Sequence, residues 1–511
     1  MSIKHNNIVQ DGAGLEKFES VSITESSSIP AGEEATRLAF LNRWAAKLNA
    51  EIRGIEPVSD DKKDAPVWIS AVMWFSANLS STGFSVGLLG PIVFRLNFLW
   101  CLFCVLLFAL VGLIIVCIFS VLGAKLGMRQ MVLSRYLTGN ATARIFCLFN
   151  IIGGMGWGVL NCVSSASVLH MVNSDGYSCP PAIACLIVTV ITILVTFFGY
   201  KAINVYQMWA WIPNLMVLFV ILIRAKMSGS FTVHNMENEK ATTGAILSFG
   251  GVIFGLTAGW SSCAADYAVY MPRNTNSYKI FFSLYAALFS SICICVLVGC
   301  AAGVCTFTNP RWAALYETDS VGGLCYGILV EPMPVFGNIC LVIFSLSATV
   351  NNIPNMYSIG LSVQAMWSSL ATIPRVGWAL ITNIIVFGLS VACYYKFEAF
   401  MSNFMDATAY YIATYIAIAF IEHFIFRKMS LQTYDVSIWK KPGKLPVGYA
   451  SLAGIIMGAI GVFLGMSQEY WQGYISRPIG EFGDLGFEVA ILFTSVTYLA
   501  LRPLELKYIG R

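Results

Sequence analysis

Charge is scarce in this chain. Only 11% of its 511 residues are Asp, Glu, Lys or Arg, against about 25% in an ordinary soluble domain. A fold whose whole exterior faces water is excluded by that shortage. Histidine is scarcer still: the four (His5, His170, His234, His423) are scattered through the chain, so no pair stands at metal-ligand spacing. Cys101 and Cys104 have two residues between them, but no matching His or Cys cluster accompanies them, and no metal centre is expected. No P-loop pattern occurs, which argues against ATP-driven chemistry. The first 66 residues contain no early apolar core, so a secretory signal is not expected there.

What is present is apolar length. Hydrophobic residues make up 57% of the chain, and the apolar runs recur from about residue 68 to the end. Each spanning helix needs about 20 mostly apolar residues. The runs predict about twelve transmembrane helices over residues 68–93, 98–123, 143–172, 180–199, 206–224, 244–270, 280–305, 336–366, 376–395, 400–425, 447–467 and 485–503. The runs are continuous rather than alternating, so they read as helices and not barrel strands. The expected layout is an N-terminal tail (1–66, helical over 33–52), a transmembrane domain (67–505) and a short C-terminal tail (506–511). Lysines of the first tail, such as Lys4 and Lys17, are candidate modification sites. Cys179 and Cys305 lie near predicted loops on one side, where a disulfide is an open alternative to free thiols.

Basic residues cluster in the loops after span 2 (Lys125, Arg129, Arg135, Arg144) and after span 10 (Arg427, Lys428, Lys440, Lys441, Lys444). Positive loops stay in the cytoplasm, so both termini are expected there. Because the net charge of +4 is spread over such loops, it implies the lipid bilayer as partner and no nucleic acid.

Two spans are interrupted. Span 1 contains Ser76-Ala77-Asn78-Leu79-Ser80-Ser81-Thr82-Gly83-Phe84-Ser85-Val86-Gly87, and span 6 contains Ser248-Phe249-Gly250-Gly251 and then Gly255-Leu256-Thr257-Ala258-Gly259-Trp260-Ser261-Ser262. Matched breaks, five spans apart, point to a binding site at mid-membrane; close helix packing around small residues is the competing reading. Span 3 carries Trp157 and Asn161 one turn apart among glycines, and span 8 carries Asn351-Asn352-Ile353-Pro354-Asn355. Pro354 has no N–H, so the Val350 carbonyl loses its helical donor. Interhelical amide bonds return only about 0.6 kcal/mol each in a membrane, a weak reason for so dense a cluster. Indole faces (Trp157, Trp260) and amides that both donate and accept suit a flat heterocycle. No mid-span Arg or Lys is available for an anionic solute.

Several stretches, in order along the chain, resemble the fungal purine–cytosine permeases of the nucleobase–cation symporter-1 family. They include Gly54-Ile55-Glu56-Pro57-Val58, Met73-Trp74-Phe75-Ser76-Ala77-Asn78, Leu126-Gly127-Met128-Arg129-Gln130-Met131, Asn351-Asn352-Ile353-Pro354-Asn355-Met356-Tyr357 and Arg502-Pro503-Leu504-Glu505-Leu506-Lys507-Tyr508. The resemblance implies an all-α, LeuT-like 5+5 inverted repeat plus two extra helices. It implies proton symport of adenine, guanine, hypoxanthine or cytosine by alternating access, with no cofactor beyond the coupling proton. It places substrate contacts on Ser85, Trp157, Asn161, Trp260, Asn351, Pro354 and Asn355. Sodium-coupled bacterial relatives supply a Ser-Thr hydroxyl pair where this chain has Thr349 and Val350, so a sodium site is not expected. Asp266, Asp406 and Glu422 are the acidic candidates for carrying the proton. A nutrient sensor or a polytopic membrane enzyme is the alternative, disfavoured by short tails and the lack of a nucleophile–base set.

Overall fold

The structure is a computed structural model that describes residues 54–174, 178–198, 200–233, 243–367, 369–480 and 482–511. The tail up to residue 53, with its expected helix and its candidate lysines, lies outside the described residues.

The described chain is almost wholly helical. In order, the helices are α1 (Val67–Asn78), α2 (Ser81–Ile92), α3 (Phe98–Leu126), α4 (Gln130–Leu137), α5 (Thr142–His170), α6 (Pro181–Phe198), α7 (Tyr200–Met227) and α8 (Thr243–Ala258). After a 3-10 turn at Gly259–Ser262 come α9 (Ala264–Ala268), α10 (Ser277–Cys305), α11 (Pro310–Leu329), α12 (Pro334–Met366), α13 (Arg375–Cys393), α14 (Phe397–Phe420), α15 (Tyr449–Gly465) and α16 (Gly486–Ile509). A two-residue hairpin, Ser467–Gln468 with Trp471–Gln472, lies between α15 and α16. The last helix runs to Ile509, so most of the expected C-terminal tail continues it.

Eight helical stretches among the described residues are long and apolar enough to cross a membrane unaided, and the longest, Arg375–Phe426, takes α13 and α14 together. The shorter apolar helices Pro181–Thr196 and Tyr449–Gly465 add to these. The broken pair α1–α2 coincides with the first expected span.

The exterior, unlike that of a soluble protein, is apolar, and the largely apolar interior also holds many small polar side chains. Large apolar side chains face outward, such as Phe103 and Leu110 on α3, Leu194 on α6 and Ile384 on α13. Serines, threonines and asparagines fill the interior, including Ser85, Asn161, Thr349 and Asn352. In lipid every backbone polar group needs an internal partner, and short hydroxyl and amide side chains supply those partners where helices break. Helix ends follow ordinary rules: Asn97 caps α3 by accepting from Trp100 N at 3.0 Å, and Gly127, at φ +67°, ends it.

Small residues set the closest approach. A Cβ added at Gly87 on α2 would lie 2.1 Å from the Val296 carbonyl oxygen, and one at Gly299 on α10 would lie 2.1 Å from that of Phe84. The two helices therefore meet backbone to backbone, as small residues allow in membranes. All 15 cysteines are free thiols, Cys179 and Cys305 included.

Candidate functional site

The two interruptions read from the sequence meet in space. Span 1 breaks at Leu79 and Ser80, which leave the helical region (Leu79 φ −87°, ψ 76°; Ser80 φ −136°, ψ 155°). Span 6 tightens into the 3-10 turn Gly259–Ser262 and breaks at Cys263. Asn78, the last residue of α1, accepts a hydrogen bond from Trp260 Nε1 at 3.1 Å. The Trp74 and Trp260 rings pack edge to face with centroids 5.0 Å apart, and Trp74 contacts Tyr267 in the same way.

Helix α12 satisfies the groups this break orphans. Ser347 Oγ accepts from Ser81 N at 2.8 Å, and Asn351 Nδ2 donates to the Ala77 carbonyl at 2.7 Å. One turn further, Asn355 Nδ2 donates to the Gly154 carbonyl of α5 at 2.6 Å. Ser347, Asn351 and Asn355 recur every four residues, so one polar stripe of α12 serves α2, α1 and α5 in turn. Pro354 shapes the same segment. The Val350 carbonyl it leaves free accepts from Gln207 Nε2 on α7 at 3.0 Å, and its own carbonyl accepts from the Tyr267 hydroxyl.

Asn161 sits at the centre of a fully buried relay. Its Oδ1 accepts from Thr82 Oγ1 at 2.7 Å, and its Nδ2 donates to Asn351 Oδ1 at 2.9 Å. Ser85 donates to the Ser81 carbonyl at 2.7 Å and lies 3.1 Å from Ser164 Oγ. In this conformer Asn161 and Asn351 are spent on each other, Thr82 and the Ala77 carbonyl, and Ser85 on the Ser81 carbonyl and Ser164.

Trp157 and Asn355 differ: both keep partial exposure. Trp157 meets Phe404 of α14 edge to face, with centroids 5.9 Å apart. Its Nε1 lies 3.6 Å from where a Cβ on Gly259 would stand, which puts it beside the span 6 break. Trp157 and Asn161, though one turn apart, therefore turn to different neighbours. The expected residues gather around the meeting of the two breaks. Trp74, Asn78, Thr82 and Gln207 belong to the same assembly without having been assigned to the site from the sequence; an amide at the start of the apolar run 206–224 was the available signal for Gln207.

The two ends of the bundle differ. At the end bearing the basic loops, residues 58–65 seal the helices. Val58 N donates to the Gly127 carbonyl at 2.9 Å, and Ala65 N to that of Tyr270 at 3.1 Å. Lys63 contacts the Ala124 carbonyl at 3.3 Å and pairs with Asp60 at 3.0 Å. That hydrogen bond, followed by the Lys63 charge, holds the Asp60 carboxyl below its usual range. The opposite end holds a cavity of about 1640 Å³, lined among others by Phe94, Tyr316, Tyr394, Asn403 and Asp406.

Of the acidic candidates, two are tied up. Asp266 accepts from Gln130 N at 2.8 Å and Ser358 Oγ at 2.7 Å. Glu422 pairs with Arg427 at 3.0 Å and Arg502 at 2.9 Å. Among the described residues, no cluster of three or more His, Cys, Asp or Glu is arranged to hold a metal ion.

Residues 57–475 match the family described as permeases for cytosine/purines, uracil, thiamine and allantoin. The chain belongs to this family. It is a membrane transporter, not an enzyme. It is 46% identical to the purine-cytosine permease FCY2 of Saccharomyces cerevisiae, over 98% of this chain and 94% of that one. It is 48% identical to the permease FCY21 of the same yeast, over 93% and 90%. The solved structure of Mhp1, a nucleobase-cation-symport-1 family transporter in a closed conformation with bromovinylhydantoin bound, aligns at TM-score 0.67. That alignment covers 89% of this chain and 95% of Mhp1, at 14% identity. The permease thus shares the Mhp1 fold.

Proposed function

We propose that this permease imports purine nucleobases (adenine, guanine, hypoxanthine) and cytosine across the plasma membrane, with protons, by alternating access, and with both termini cytoplasmic. The observation that carries the reading is the contact of the two helix breaks, Trp260 on Asn78, beside the part-exposed Trp157 and Asn355. A flat ring stacked on Trp157 gains dispersion and polar-face contact. An amide at Asn355 matches a base edge that both donates and accepts. Ser85, Asn161, Trp260, Asn351 and Pro354 take part as contacts that re-form as the helices move. The names of the fungal relatives, purine-cytosine permeases, support the same substrates.

Two features support protons over sodium. Val350 carries no hydroxyl at the position where sodium-coupled relatives supply one. The Ala77 carbonyl, freed at the span 1 break, accepts from Asn351 at 2.7 Å, so a side-chain donor occupies a direction a cation would otherwise take.

The test is uptake of labelled cytosine and adenine in cells lacking their own carriers, with competition by a nucleobase panel at several external pH values. Saturable accumulation that rises as external pH falls is expected. Absence of nucleobase accumulation at any pH in cells displaying the protein would refute the proposal.

A further inference from the structure

Beside the large cavity, α14 carries a carboxylate that the substrate site leaves unused. Asp406 is only 5% exposed, yet it lines the cavity wall. Its Oδ2 accepts from the neutral amide of Gln468 at 2.9 Å. Its Oδ1 has no hydrogen-bond donor among the described residues, and no cation pairs with the group. The same Gln468 nitrogen reaches Tyr410 Oη at 2.8 Å and Asp484 Oδ2 at 3.1 Å. Tyr410 donates to Asp484 at 2.5 Å. One NH2 group has two hydrogens, so it cannot serve all three oxygens at once. Nearby on α16, Glu488 Oε2 is sealed from solvent without a partner. The cluster is short of protons, not of acceptors.

The helices α2, α8 and α15 beside it offer no positive charge. α2 and α8 contain no titratable side chain, and α15 has only Tyr449, at its far end. α5 meets α14 through Gly153 and Gly156, against Tyr411 and Phe404. The groups facing Asp406 are therefore Tyr410, Asp484 and Glu488, all neutral or anionic. The cavity's cations Arg95, Lys396 and Arg477 line the same space but form no ion pair with it. Burial pushes the Asp484 carboxyl up from its usual range. An unpaired carboxylate at membrane depth is costly and is stabilised by binding a proton.

Position connects this group to transport. Asp406 Oδ1 lies 3.7 Å from where a Cβ on Gly251 would stand, and a Cβ at Gly255 would lie 2.4 Å from the Met405 carbonyl. α14 thus touches backbone of α8 one turn before the span 6 break, and Gln468 and Asp484 tie the α15–α16 connection to it.

We infer that Asp406, held by Gln468 beside Tyr410 and Asp484, is the proton-binding site through which external protons drive uptake. The inference rests on the import reading above and adds the residue that carries the coupling ion. Hydronium in the cavity protonates the carboxylate and leaves water. The neutral acid then donates to a neighbouring carboxylate, and the proton leaves on the other side after the helices rearrange.

The test compares labelled cytosine uptake at external pH 4.5 to 7.5 in wild type, Asp406→Asn and Gln468→Leu, with cytosine binding to the purified proteins by thermal shift. Asp406→Asn is expected to lose concentrative uptake and its pH dependence while still binding cytosine. Gln468→Leu removes the donor that favours the charged form and moves half-maximal uptake to higher pH. Concentrative, pH-dependent uptake by Asp406→Asn overturns the assignment. If Asp406→Asn fails to reach the membrane, a wild-type pH profile in Gln468→Leu overturns it instead. Wild-type protein that takes up no cytosine at any pH refutes the import reading itself, which is a separate failure.

Discussion

Gln207 supplies the hydrogen bond that Pro354 removes. The Val350 carbonyl, denied a helical N–H by the proline four residues on, accepts from Gln207 Nε2 at 3.0 Å. The proline-bearing segment of α12 is thereby tied to α7. Gln207→Leu leaves that carbonyl unpaired, at a cost of about 1–3 kcal/mol. Pro354→Ala restores the helical donor. Gln207→Leu is therefore expected to destabilise the wild type but to do little in a Pro354→Ala background. Thermal unfolding in detergent across the four-member cycle measures the coupling; strictly additive effects would refute it.

Asn355 and Asn161 are both asparagines on facing helices, with different expected phenotypes. Asn355 is part-exposed and makes one bond, to Gly154. Asn355→Ala is expected to lower nucleobase uptake by about tenfold or more, equivalent to about 1.4 kcal/mol of lost binding, with surface expression kept. Uptake and fluorescence of a tagged variant at the cell surface decide this, and normal kinetics would defeat the site assignment.

Asn161 is sealed and bonded on both sides, to Thr82 and Asn351. Removing it strands two partners. Asn161→Ala is expected to lower thermal stability by about 1–3 kcal/mol and to reduce the amount of folded protein. A melting temperature equal to wild type would show that the relay does not hold α2, α5 and α12 together.

At the α2–α10 contact there is no room for a side chain. Gly87→Val puts a Cβ 2.1 Å from the Val296 carbonyl oxygen, which is backbone and cannot move aside cheaply. Overpacking of this kind costs about 1–3 kcal/mol or more. Retention of the variant inside the cell, measured by surface labelling, is expected; Gly87→Ala should show a milder form of the same defect.

Replacing external sodium with choline is expected to leave nucleobase uptake unchanged, because Asn351 Nδ2 already occupies the Ala77 carbonyl. A sodium-dependent rate would contradict this and would call for a cation site elsewhere at the break.

Much of the fold was legible because the bilayer leaves few choices. Long apolar runs become helices, since lipid offers no partner to an open backbone. The breaks at Asn78–Ser80 and Gly259–Ser262 were legible for the same reason: small and polar residues in such a run are costly unless something answers them. Trp157, Asn161, Asn351 and Asn355 stood out on that argument. The partners did not. Periodicity places Asn351 on a face of α12 but does not say that it reaches Ala77, nor that Trp260 reaches Asn78.

The sequence by itself determined that the chain lives in a membrane, where its long apolar helices run (though not the helices Gln130–Leu137 and Pro310–Leu329 between them), where two of them are interrupted, and to which family it belongs. These follow from composition and local order, which are properties of neighbours along the chain. Only the tertiary structure decided that the two interruptions touch, that Asp266 and Glu422 are satisfied while Asp406 has one amide donor and no ion pair among the described residues, and that Gln207 mends what Pro354 breaks. Each of these depends on pairs of residues separated by tens to hundreds of positions, brought together by packing that no local pattern encodes.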